Sequence, residues 1–140
     1  MARSPTEWDL QHALCWIWLD GNPDDKGVPR KTPALAPDVV YFHVPNVGSR
    51  NAAEGRRLKL SGVKAGVFDL VFLAYQRFYL MELKEPGGPQ PPERNLSASQ
   101  RAMWPRLERA GATALIVTDN LADAKAWLIK HGLALPISEC

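Results

Sequence analysis

Apolar residues recur at helical spacing at Leu10, Leu14, Ile17 and Trp18, which predicts an opening helix over "SPTEWDLQHALCWIWLDGN". Ser4 is its expected N-cap, with Pro5 at the first helical position and Glu7 at the capping-box position. The stretch 21–37, dense in Gly, Pro and charge, predicts a surface loop. Then "DVVYFHV" reads as a strand stopped by Pro45, and "RNAAEGRRLKLSG" as a short helix closed by Gly62. Two apolar runs, "GVFDLVFLAY" and "FYLMELKE", flank "QR" and predict a β-hairpin. A helix over "LSASQRAMWPRLERAG" has Ser97 as cap, Gln100 at the capping-box position, a bend at Pro105 and Gly111 as terminator. The strand "ATALIVTD" and the helix "NLADAKAWLIKHG", ending at Gly132, complete the chain.

The expected order is α, β, (α), β, β, α, β, α. Runs apolar on both faces, such as "LVFL" and "LIV", imply a sheet covered by helices on both sides, hence an α/β fold. The 140 residues, 46% of them hydrophobic, suit a single domain spanning 1–140 with its own core. Seventeen basic against 15 acidic residues leave a net charge of +2, so any nucleic-acid function has to come from local clustering. Cys15 and Cys140 have no CxxC or close Cys/His spacing, and His12, His43 and His131 have no ligand spacing, so neither zinc nor a disulfide framework is expected. That usage suits a reducing cytoplasm. The stretch "WDLQHALCWIWL" is interrupted by Asp9, Gln11 and His12 and reads as amphipathic, so no membrane association is expected. The five Trp residues sit mostly at helical spacing and are expected in the core, Trp104 near Gln100 excepted.

Glu82 and Lys84 lie two apart in an apolar strand and therefore point the same way, roughly 7 Å apart. A turn centred on Gln76 and Arg77 sets Asp69 across from Lys84 and Val71 across from Glu82, so Asp69, Glu82 and Lys84 converge on one patch. A one-residue slip sends the set to the other face. Two carboxylates and a lysine on rigid strands are the groups that magnesium-dependent phosphodiester cleavage needs, because Mg²⁺ takes hard oxygen ligands and a nearby ammonium stabilises developing charge.

With these residues in place the chain resembles the PD-(D/E)xK nuclease superfamily, and within it the VRR-NUC family. "GVKAGVFDL" is similar to the family's Gly-x-x-x-Gly-x-Pro-Asp element, "MELK" to its Glu-x-Lys strand, and Gln100 stands where the family has a Gln. "FHVPNVGSRN" looks like its His/Pro-Asn-Gly segment, and Glu7 lies where its first-helix acid sits. Phe68 replaces the family's Pro before the Asp, a position that shapes backbone and supplies no ligand. The resemblance implies a restriction-endonuclease-like αβββαβ core, a mixed sheet flanked by helices. It implies a Mg²⁺- or Mn²⁺-dependent DNA endonuclease in which Asp69, Glu82 and the main-chain carbonyl of Leu83 hold the metal. Lys84 orients the attacking water, with Gln100 and Glu7 in support. It also implies branched DNA such as a four-way junction as substrate, a homodimer, and a phage or bacterial source.

Both Glu7 and Gln100 stand three residues after a Ser and can equally be capping-box residues. Arg50, Arg56, Arg57, Lys59 and Lys64 form either a phosphate-contacting cluster or a solvated helix face. His43 and Asn46 either orient substrate or end a strand. Two other functions fit the same residues: a non-catalytic nucleic-acid-binding module of this fold, and a nuclease for flap, linear duplex or a specific recognition sequence.

Overall fold

A computed structural model describes residues 5–45 and 52–136. The first helix, α1 (Glu7–His12), is capped by Thr6 and not by Ser4, which lies outside the described residues. The Thr6 side chain accepts from the Asp9 N–H while the Asp9 carboxylate accepts from the Thr6 N–H, closing a capping box that leaves Glu7 out. Glu7 is thereby the first helical residue, with no capping task. The helix widens into a π-helical segment, Ala13–Leu19, and buries Leu10, Leu14 and Leu19. Trp8 and Trp16 fall outside that buried stripe and are exposed, contrary to the expectation for them. Between positions 21 and 37 the backbone forms no helix or strand, and a single bridge ties Leu35 to Ala134.

Strands β1 (Val40–His43), β2 (Leu70–Ala74), β3 (Arg77–Leu83) and β4 (Ala114–Thr118) form one sheet in that spatial order. The first two pairings are antiparallel, and β4 joins β3 in parallel, so the sheet is mixed. Helix α2 (Ala52–Leu60) precedes β2, α3 (Ala98–Arg109) lies between β3 and β4, and α4 (Leu121–Lys130) follows β4. A 3₁₀ turn at Pro92–Asn95, unanticipated in the sequence, leads into α3. Helix α3 starts at Ser97 as expected and continues through Pro105, whose missing N–H removes one helical bond without ending the helix.

The hairpin turn is Tyr75–Gln76, not Gln76–Arg77, and both residues have positive φ, 54° and 64°, as a type I′ turn requires. The ladder accordingly pairs Leu70 with Met81 and Val71 with Leu80, two residues away from the expected register. Because the displacement is even, every side chain keeps its face. Continued by one residue, the ladder sets Asp69 across from Glu82.

One face of the sheet, carrying Leu70, Phe72, Tyr79, Met81 and Leu83, packs on α1, the π-helical segment and α4. The other face buries Leu80 and Val117 beneath Trp104 and Leu107 of α3. Cover on that second face reaches Val71 of β2 and goes no further: Val40 and Phe42 of β1 and Leu73 of β2 remain exposed. The expectation of apolar cover on both sides thus holds for the central strands and not for the β1 side. Asp69, Glu82 and Lys84 belong to this second face, beside the N-terminus of α3.

Candidate active site

Alternation along β3 brings Glu82 and Lys84 to the α3 side, where Lys84 Nζ lies 3.2 Å from Glu82 Oε2. Asp69, just before β2, joins them through two main-chain contacts. Its N–H donates to Glu82 Oε1 at 3.1 Å, and its Oδ2 accepts from the Leu83 N–H at 2.9 Å. The Leu83 N–H points toward β2, and in an extended residue the carbonyl points the same way, so the Leu83 oxygen shares the Asp69 side.

Gln100 closes the capping box and also bonds the Glu82–Lys84 pair. Its Oε1 accepts from the Ser97 N–H at 3.0 Å, completing the capping box, and from Lys84 Nζ at 3.1 Å. Its Nε2 donates to Glu82 Oε2 at 2.6 Å. One buried amide therefore fixes the start of α3 to the Glu82–Lys84 pair.

Asp69 is 8% exposed and Glu82 4%. Burial, the largest cause, pushes the Asp69 carboxyl above its ordinary range; the Leu83 N–H opposes this and the charge of Glu7 adds to it. Burial likewise raises Glu82, and the charge of Asp69 raises it further against the Gln100 and Lys84 contacts. Glu7, exposed at its outer side, is raised by partial desolvation first and then by the charge of Glu82. Asp69 and Glu82 thus stand close together at an electrostatic cost, and the charge of Glu7 acts on both from the cleft.

These groups line a cleft of about 980 Å³, to which Glu7, Gly66, Asp69, Glu82, Lys84 and Gln100 all contribute. The α2 helix and the loop after it line the same cleft and bring Arg56, Lys59 and Lys64 to it. Arg57 of the expected basic cluster does not line it, and Arg50 and Asn46 lie outside the described residues. No residue of α2 is buried, so this helix serves as a cleft wall and not as core.

Gly66 explains how the loop reaches Asp69. Its φ is +85°, and a Cβ there would land on the Ser99 carbonyl in the first turn of α3. The glycine lets the loop dock against the helix that carries Gln100. In the sequence Gly66 was legible only as one position of a spaced glycine pattern.

His43, at the end of β1, has Nδ1 2.8 Å from the Asp69 carbonyl oxygen. A carbonyl only accepts, so Nδ1 carries the proton and donates. The Val44 N–H donates to the same oxygen at 2.7 Å, so the end of β1 braces the Asp69 main chain.

Among the described residues no three His, Cys, Asp or Glu side chains form a ready ligand cage. The donor set still suits a hard divalent cation: two buried carboxylates and a carbonyl on one side, with the remaining positions left to water and substrate. Repulsion among the carboxylates is the charge such an ion neutralises.

The mixed sheet flanked by helices is an α/β restriction-endonuclease-like fold. It is the fold of a solved VRR_NUC domain protein, similar to this chain with a TM-score of 0.59 and 21% identity, over 96% of this chain and 94% of that one. No protein-family model matches the chain and no curated protein matches it in sequence. Among the described residues no helix is long and apolar enough to cross a membrane.

Proposed function

We propose that the chain is a VRR-NUC nuclease, a metal-dependent endonuclease that hydrolyses DNA phosphodiester bonds at Asp69, Glu82, Lys84 and Gln100. The observation that carries this reading is one bonded cluster lining the cleft, in which the Glu82, Lys84 and Gln100 side chains contact one another and Asp69 joins through its main-chain N–H to Glu82 and its carboxylate to the Leu83 N–H. Asp69, Glu82 and the Leu83 carbonyl would hold Mg²⁺ or Mn²⁺, with Glu7 adding negative charge nearby. Such an ion supplies Lewis acidity toward a phosphoryl oxygen and lowers the pKa of water.

The protein's own groups have separable tasks. Lys84 places an ammonium beside the reacting phosphate, where it orients the attacking water and offsets charge gathering in the transition state. Gln100 holds both Glu82 and Lys84 in place, so neither side chain loses its geometry on binding. Arg56, Lys59 and Lys64, which line the same cleft, neutralise flanking phosphates and read no base. The substrate proposed is branched DNA such as a four-way junction, cut by a homodimer whose two sites address its two halves.

The test is cleavage of labelled four-way junction, flap and linear duplex DNA with Mg²⁺, Mn²⁺ or EDTA, alongside Glu82→Ala. Metal-dependent cutting lost in the variant supports the nuclease, and preference for the junction supports the branched substrate. Salt-sensitive binding with no cutting under any metal replaces it with a non-catalytic nucleic-acid-binding module.

A further inference from the structure

Trp8 is 63% exposed, although Leu10 of its helix and Leu14 and Leu19 of the π-helical segment after it are buried. It directly follows Glu7, a cleft-lining residue, so its backbone stands at the cleft rim. Its indole is stacked on the His12 ring, with centroids 4.7 Å apart and planes 11° from parallel. Backed on one side, it leaves a flat aromatic surface toward solvent. Trp16, eight residues further along in the π-helical segment, is also exposed, at 51%.

We propose that Trp8, backed by His12, is a stacking platform for an unpaired nucleobase beside the scissile phosphate, with Trp16 continuing the track along the departing strand. The proposal rests on the nuclease reading of the adjoining cleft. Three features favour a nucleobase as the occupant. The cleft from which the track leads is lined by Arg56, Lys59 and Lys64, complementary in charge to a polyanion. A nearly parallel ring pair presents a plane, the shape of a base. Asp25, whose Oδ2 is 3.8 Å from His12 Nε2, disfavours phosphate on this face, so contact is through the base and not the backbone.

The consequence concerns substrate class. A base inside a duplex is covered by its neighbours on both sides and has no face to give, whereas a base at a branch, flap or gap does. Trp8 then makes the enzyme favour DNA with unpaired nucleotides at the cut.

The experiment measures fluorescence anisotropy in EDTA with labelled oligothymidylate of about 15 nucleotides, splayed-arm DNA and blunt duplex. For Trp8→Ala the expected loss on the first two is about five- to 150-fold, roughly 1 to 3 kcal/mol at 1.4 kcal/mol per tenfold, with blunt duplex unchanged. Trp8→Phe should recover most of it, which a purely structural role for the indole would not predict. Equal losses on all three probes, no loss on any, or a wild type that binds none of them overturn the proposal. So does a changed sedimentation coefficient of Trp8→Ala with unchanged DNA binding, which assigns the surface to protein contact. Wild-type cleavage with Mg²⁺ is read separately: the expected binding pattern without cleavage supports the platform and removes the nuclease reading.

Discussion

The main-chain N–H of Asp69 donates to Glu82 while the Asp69 carboxylate accepts from the residue after Glu82, so two buried acids are locked together across the hairpin through backbone atoms. Neither can move without breaking a bond at the end of the sheet. Their closeness is thus a property of the fold, and its electrostatic cost is present before any substrate binds.

Removing that cost should stabilise the protein. Asp69→Asn keeps an oxygen for the Leu83 N–H and deletes one of the crowded charges. In metal-free buffer near pH 8 its thermal midpoint should rise by about 2–6 °C, the size roughly 1 kcal/mol gives in a chain of this length. Cleavage should be lost in the same variant. A lower midpoint would show that the Asp69 charge is already compensated.

The raised carboxyls set the direction of the pH dependence. Folded Glu7, Asp69 and Glu82 hold protons above their ordinary range near about 4. The folded chain then binds more protons than the unfolded one, so without metal stability falls as pH rises through that window. Cleavage should run the other way, rising over the same window as the carboxyls ionise, and its acid limb should move to lower pH as Mg²⁺ is increased. Thermal melts and rate profiles at two metal concentrations test both directions.

Lys84→Ala should slow cleavage by about a hundredfold or more while DNA binding persists. Loss of the folded circular-dichroism signal instead would make Lys84 structural, the partner of a buried Glu82.

Glu7→Gln separates supporting charge from capping, because Thr6 and Asp9 cap α1 without it. The variant should fold normally and need roughly tenfold more metal for half-maximal rate, the lower end of what outer-shell changes cost. An unchanged metal requirement would remove Glu7 from the site.

Gly66→Ala should cost about 1–3 kcal/mol, since it adds both left-handed backbone strain and a Cβ against the Ser99 carbonyl. Gly62→Ala, with φ +104° but no atom within 4 Å of a new Cβ, carries the strain alone and should cost less. Denaturant melts of the two variants check the order.

Most of the elements, and the common face of Asp69, Glu82 and Lys84, were legible in the sequence because they depend on local periods and caps. Side-chain alternation survives an even shift, so the face was right although the register was displaced by two residues. The displacement itself was invisible: neither Tyr75 nor Gln76 is a residue that announces a positive-φ turn, and cross-strand packing selects it. The Thr6–Asp9 cap is local, a Thr-x-x-Asp legible in the sequence beside the Ser4 reading, whereas only the tertiary structure decided that Glu7 lines the cleft. The same is true of the single Gln100 amide that serves both a helix cap and two charged groups, and of the cleft wall formed by an unburied α2. These outcomes depend on which distant segments meet, and the burial that selects those meetings is a property of the whole chain.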